Sequence, residues 1–381
     1  MKRMQPQFPA AVWVKFLHNA GLYIHIPFCK TKCAYCDFYS CVPSDSVLKD
    51  YLSALCREME KWGGLSDRPI DSVYIGGGTP SILGVRIEEI MISARNAFNI
   101  TSDAEITAEI NPDAGDDFLY AAKRAGINRI SMGVQSADDA ELKVLGRRHT
   151  AKEAKETYYR LLRAGFDNVS LDLMLCLPDS NISTLKKSID FILDLRPAHI
   201  SAYILKLEEH TKLYAMKNTL NLPNDDESAE QYLYTCKRLE KAGYSHYEIS
   251  NFALNGKESW HNLKYWKLED YLGIGPSAHS LIGTKRFFYG KNLREFLNGA
   301  EPVFEAELDR KYEEIMLGLR LKEGIDVKDY RKNDSFMHKA ESLEKAGLAR
   351  LDFPRFSLTD RGMLVSNAII NDITETVYEN L

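Results

Sequence analysis

The stretch Leu22-Tyr23-Ile24-His25-Ile26-Pro27-Phe28-Cys29-Lys30-Thr31-Lys32-Cys33-Ala34-Tyr35-Cys36-Asp37-Phe38 decides how the rest of the chain is read. It opens as a strand, with apolar and aromatic residues from Leu22 to Ile26 and a stop at Pro27. Three cysteines follow directly, spaced C-x3-C-x2-C on one loop. Thiolates at that spacing can wrap a compact cluster and reach three separate iron atoms, leaving one metal position open. The alternatives are a structural zinc site with Cys41 as fourth ligand, or buried cysteines. Zinc ligands normally come as two separated hooks, and this loop offers one.

Working outward, the other cysteines are isolated: Cys56, Cys176 and Cys236 stand alone among the seven of a 381-residue chain. Hydrophobic residues make up 45% and charged residues 27%, which excludes a disordered chain and a small disulfide scaffold. No apolar run is long enough to span a membrane, and no signal peptide is read at the start. A cytoplasmic protein is expected, where clustered cysteines signal metal or redox chemistry more than disulfides. The formal charge of -5 argues against a general nucleic-acid binder.

After the first strand, β-like runs alternate with helical patterns. Candidate strands are Leu22–Ile26, Ser72–Ile75, Glu105–Glu109, Arg129–Gly133, Asn168–Leu175 and His199–Leu205. Between them, Ser46–Trp62 carries an apolar face of Leu48, Tyr51, Leu52, Leu55, Met59 and Trp62. Ala137–Leu145, Ala151–Ala164 and Thr184–Leu195 are further helices, and Gly126, Gly146 and Gly165 read as C-caps. Repeated β/α steps imply a parallel sheet, either a barrel or an open doubly wound sheet. Both place functional residues at the C-terminal ends of strands. From Glu208 to about Gly299 the pattern is irregular, with a helix near Ser228–Ala242 and a strand at Ser245–Ile249. Beyond it, helices Leu308–Leu321, Val327–Lys332 and Asp334–Ala346 lead into a hairpin Ala349–Leu358 turning at Pro354. A last helix, Thr359–Ile373, follows in a winged-helix-like arrangement.

Several residues fall where that rule places function. Gly76-Gly77-Gly78-Thr79-Pro80 follows the second strand, and glycines let a backbone approach a ligand closely. Glu109 ends the third strand, Gln135 lies just past the fourth, and Asp172 is a carboxylate inside an apolar fifth strand. Such a charge is costly unless paired or liganded. Arg147 can grip a carboxylate with two parallel bonds.

The cysteine loop with its strand resembles the radical S-adenosylmethionine (SAM) superfamily. More narrowly, it resembles the branch holding oxygen-independent coproporphyrinogen III oxidase and the HemW-type heme chaperones. The resemblance implies an α/β fold, a partial (β/α)6 TIM-like barrel with a C-terminal helical, winged-helix-like domain. It implies an extension over 1–21, a core barrel over 22–206, a connecting region over 207–305 and a HemN-like domain over 306–381. Cys29, Cys33 and Cys36 would hold a [4Fe-4S] cluster, and Tyr35 would lie near the adenine of SAM. Tyr23, Gly77, Gly78, Thr79, Glu109, Gln135, Arg147, Asp172 and Met174 match SAM-contact positions of the family. One departure stands at Cys176, where the family often has Gly.

Three features favour the chaperone side of the branch. Phe38 replaces a cysteine that the oxidase carries, about 20 residues precede Leu22 where the oxidase has a longer arm, and His261-Asn262-Leu263-Lys264-Tyr265-Trp266 resembles the H-N-x-x-Y-W signature of HemW-type proteins. The expected function is therefore a chaperone that holds heme as cargo and passes it to acceptor hemoproteins. A flavodoxin- or ferredoxin-type reductant is implied, and the oxidase is the alternative. His261, Tyr265 and Trp266 are candidate heme contacts, with His261 a candidate axial ligand. The alternative for His261 is a satisfied structural histidine. The non-basic last helix argues for a lid or protein contact in place of DNA binding.

Overall fold

Six parallel strands carry the site in the computed structural model, which describes residues 19–65 and 68–378. They are β1 (Ala20–Ile26), β2 (Ile70–Gly77), β3 (Ile100–Ile110), β4 (Arg129–Gln135), β5 (Asn168–Leu175) and β6 (His199–Ile204), side by side in chain order. Most of the extension expected before Leu22 lies outside the described residues. The crossovers are α1 (Asp45–Gly63), α2 (Ile87–Ala97), α3 (Asp116–Arg124), α4 (Asp139–Val144), α5 (Ala151–Arg163) and α6 (Ile182–Leu195). The apolar stripe predicted for the first helix, Leu48 to Trp62, is buried along the core face of α1. The Ser44 side chain caps that helix, and Thr150 with Glu153 forms a capping box on α5. Gly126, Gly146 and Gly165 end their helices with left-handed backbone, as expected of C-caps.

The irregular middle region extends the same sheet at both edges. It contains α7 (Lys212–Ala215), α8 (Asp225–Lys241), β7 (Ser245–Glu248), β8 (Asn251–Ala253), α9 (Trp260–Trp266), β9 (Tyr271–Ile274), β10 (His279–Ile282), β11 (Lys285–Phe288), α10 (Leu293–Leu297) and β12 (Val303–Glu307). β9 adds parallel to β1, and β8 adds antiparallel to β6. The result is a 12-stranded sheet in the order β12-β11-β10-β9-β1-β2-β3-β4-β5-β6-β8-β7. This is the expected partial barrel, open between its outer strands. Five short strands, β8 to β12, were not anticipated. Tyr271–Ile274 includes a glycine and is too short for a readable period.

The chain then forms α11 (Arg310–Gly318), β13 (Ile325–Asp326), α12 (Asp334–Lys345), β14 (Ala349–Asp352), β15 (Arg355–Leu358), α13 (Asp360–Leu364) and α14 (Ser366–Tyr378). The hairpin expected with Pro354 at its turn is β14–β15, joined by β13. Two expectations differ in detail. Val327–Lys332 is only a short 3-10 turn at Lys328–Tyr330, and the last helix divides at Val365.

Candidate functional site

Cys29, Cys33 and Cys36 sit on the loop between β1 and α1, which is tied down on three sides. Cys29 N–H donates to the Cys41 carbonyl at 3.0 Å, and Cys41 N–H donates to the Pro27 carbonyl at 2.8 Å. Ala34 N–H reaches the Leu145 carbonyl at 2.9 Å, and Leu213 N–H reaches the Ala34 carbonyl at 2.8 Å. The three sulfurs thereby line one cavity of about 140 Å³. Thr79 Oγ1 donates to Cys29 Sγ, and an Arg147 nitrogen donates to Cys33 Sγ, each at 3.4 Å. Burial pushes the Cys36 thiol up to about 11, and a bound metal would take the place of that proton. A thiolate-only donor set on one loop, facing one cavity, fits an iron–sulfur cluster. Cys41 serves the loop through its backbone and lines neither this cavity nor the larger one below it.

The strand ends close the same cavity. Gly77 has φ +102°, and a Cβ there would lie 2.4 Å from the His25 ring. At Gly78 a Cβ would meet the Phe28 carbonyl oxygen at 2.5 Å. The glycines are thus required for the strand end to lie against the cysteine loop. Glu109 Oε2 accepts from Gly77 N–H at 3.0 Å, and Oε1 accepts from the Tyr74 hydroxyl at 2.8 Å. Burial raises the Glu109 carboxyl to about 7 and the Asp172 carboxyl to about 6. Asp172 accepts from Ser131 Oγ at 3.1 Å. Gln135 adopts φ +71° where the β4–β5 register shifts, and its Oε1 accepts from the Tyr203 hydroxyl at 2.9 Å.

Of the residues expected at the cofactor site, the cavity assembles Cys29, Cys33, Cys36, Tyr35, Gly77, Gly78, Thr79, Glu109, Gln135, Arg147 and Asp172. Met174 lines the adjoining larger cavity. Tyr23 lines neither; its hydroxyl bonds to His25 Nδ1 at 2.9 Å, and its ring lies near those of Tyr74 and His261. Asn111 and Tyr203 were not singled out from the sequence. Asn111 donates to Thr79 Oγ1 at 3.1 Å and accepts from Arg147 at 2.7 Å, linking the two sulfur-bonded side chains. Its Asn-Pro step after Glu109 was the available signal. At Cys176 the backbone is left-handed, φ +59°, which is why glycine suits this position. The thiol is buried and faces the Ser228 carbonyl.

The larger cavity, about 540 Å³, shares Tyr35, Phe38, Glu109 and Asp172 with the first and runs down the barrel interior to Asn262. Asn262 belongs to α9, which lies across the N-terminal ends of the strands. Lys264 on this helix bonds to the Asn19 carbonyl and to Asp71, both at strand starts. His261 is fully buried there. Its Nδ1 pairs with Ser72 Oγ at 3.0 Å, its Nε2 with the Tyr265 hydroxyl at 2.8 Å, and its backbone N–H with Glu105 at 3.2 Å. Burial, with Lys264 and Arg129 nearby, lowers the ring to about 3, so it is neutral. Both ring nitrogens are bonded to side chains of the protein, the arrangement of the alternative reading of His261 as a satisfied structural histidine. Tyr265 packs edge-on against Tyr271, and Trp266 lies under Arg320. The part of the signature that reaches the cavity is Asn262.

Two full-length likenesses bear on this arrangement. The heme chaperone HemW of Lactococcus lactis is 33% identical over 365 residues, covering 91% of this chain and 95% of that protein. The HemW of Bacillus subtilis is 35% identical, covering 91% and 97% respectively. The chain belongs to the HemW family. Within this HemW-family chain, the Radical SAM superfamily profile matches residues 23–192, and the HemN C-terminal domain profile matches residues 306–365. Radical SAM membership implies a [4Fe-4S] cluster and SAM as cofactors. The HemW-family fold is also that of coproporphyrinogen III oxidase (HemN) from Escherichia coli, with a TM-score of 0.79 over 96% of this chain and 91% of that one, at 22% identity. Among the described residues, no helix is long and apolar enough to cross a membrane.

Proposed function

We propose that this chain binds heme and delivers it to acceptor hemoproteins, with a [4Fe-4S] cluster on Cys29, Cys33 and Cys36 and SAM bound beside it. The observation that carries the reading is the likeness to heme chaperones over nearly the whole chain. On this reading, residues 22–206 form the cofactor core, 207–305 carry the plug helix and 306–381 make up the C-terminal domain. When bound, the reduced cluster and SAM supply an electron and a source of the 5'-deoxyadenosyl radical. The chain's own residues hold and shape that site. Gly77 and Gly78 bring backbone against the cysteine loop, and Glu109 and Asp172 offer two buried carboxyls to a cationic ligand. Arg147, fixed by Asn111 and the Gly133 carbonyl, keeps a guanidinium beside Cys33.

Phe38, 68% exposed at the lip shared by both cavities, supports cargo handling over oxidase chemistry. It offers a flat apolar surface where the oxidase has a cysteine. An anaerobic assay separates the two. The chain with reconstituted cluster, SAM and reductant should bind heme and leave coproporphyrinogen III unchanged. Protoporphyrinogen formed at a catalytic rate would overturn the chaperone reading. A reductant of the flavodoxin or ferredoxin type and the acceptor hemoprotein complete the proposed set of partners.

A further inference from the structure

The floor of the large cavity holds a buried cation that feels nearby carboxylates but makes little direct contact with them. Arg129 opens β4, and its side chain is 2% exposed yet lines the cavity wall. Its Nε is buried and has no hydrogen-bond partner. Among the described residues its hydrogen bond is a 3.5 Å contact from NH1 to Thr107 Oγ1. The nearest carboxylate, Glu105, comes within 3.9 Å of Nε, and its other oxygen already accepts from His261 N–H. A guanidinium carries five donors in a planar fork, and burying one without partners is costly. Ser131, Ser170 and Asn262 bring further polar side chains to the same cavity.

This end of the barrel adjoins the proposed SAM site, with which its cavity shares Glu109, Ser131 and Asp172, but it lies away from the cysteine loop. Arg129 and Gln135 stand at opposite ends of β4, and six residues of strand span roughly 20 Å. The SAM carboxylate therefore belongs to the cysteine end. Glu109 and Asp172 line the same cavity and feel the Arg129 charge, yet among the described residues no carboxylate makes a paired, planar contact with its guanidinium fork.

We infer that the cavity floor is a carboxylate site in which Arg129 anchors a propionate of the heme cargo. The inference rests on the heme-carrier reading and adds how the cargo is oriented. The macrocycle lies towards the apolar lip of Phe38, Ile204 and Leu205, and one propionate reaches down to the guanidinium. The signature helix then contributes through Asn262 at the floor.

The test is an absorbance titration of the full chain, cluster in place, with heme and with heme dimethyl ester, whose propionates are esterified. Free heme should bind about tenfold to a hundredfold tighter than the diester, the size of a charge-assisted contact. Arg129→Met should bring the two affinities together, and Arg129→Lys should keep part of the difference. Equal affinity for both ligands in the unmutated chain overturns the inference and leaves the carrier reading intact. A preference that survives Arg129→Met overturns it too. Binding of neither ligand overturns both. The unmutated comparison needs no variant to fold, and cluster absorbance reports whether Arg129→Met has folded.

Discussion

At the scale of single residues, the site is a set of buried groups whose protonation is set by burial. Glu109 shows the consequence. Its folded carboxyl ionises near 7 against an ordinary 4.5. As pH rises from 4.5 to 7, the unfolded chain has already ionised and the folded chain has not, so Glu109 increasingly lowers stability, fully so above 7. In the chain freed of cluster and SAM, Glu109→Gln should raise the urea midpoint at pH 8 by the equivalent of about 1–2 kcal/mol. The gain should vanish by pH 4.5, and SAM affinity should fall. A gain independent of pH would mean that packing, not ionisation, sets it. The cysteines give a second prediction. Cys33→Ala should abolish iron–sulfur absorbance, whereas Cys41→Ala should leave it, because the Cys41 side chain lines neither cavity. Loss of absorbance in Cys41→Ala would show a further ligand. The cysteines, Glu109 and Asp172 were legible in the sequence because spacing and an out-of-place charge can be read linearly. Arg129 broke the same rule as Asp172, a charge in an apolar strand, but as a strand's first residue it was not singled out.

At the scale of elements, α9 matters most. A helix of seven residues has little stability alone, and it is held by His261 and Lys264 against β2, β3 and the start of β1. His261→Ala should lower stability by about 2–4 kcal/mol, since it leaves a cavity and unpairs Ser72 and Tyr265. His261→Gln should leave the spectrum of bound heme unchanged, because the ring nitrogens point into the plug. A change of axial ligation in His261→Gln, read by electron paramagnetic resonance or absorbance, would return His261 to the iron. The six core strands and their helices were legible because β-branched runs and 3.6-residue stripes are local signals. The edge strands β8 to β12 were not, since strands of three to five residues hide any period, and β9 is placed by the distant β1.

At the scale of the whole molecule, the C-terminal domain is docked on the β7–β8 edge through a charged knot. Asp360, at the start of α13, pairs with His246 Nδ1 at 3.2 Å and with Lys322. The hydrogen bond from His246, then Lys322, holds the Asp360 carboxyl far below the ordinary 3.8. Its contribution is therefore present above about pH 3.8 and is lost only as pH falls below that value. Asp360→Asn at neutral pH should cost about 1–2 kcal/mol for a partly exposed charged pair. Hydrogen exchange should quicken in residues 306–378 before the barrel opens, while exchange that speeds equally throughout would show one cooperative unit. The sequence by itself determined the cysteine loop, the parallel β/α core and the membership of the chain, because each is written in spacing and periodicity along the backbone. Only the tertiary structure decided that the signature helix plugs the barrel floor, that His261 is internally bonded, and that Arg129 faces the cavity. Those facts depend on which way a strand end turns when the sheet curves, and sheet curvature is set by the packing of residues far apart in the chain.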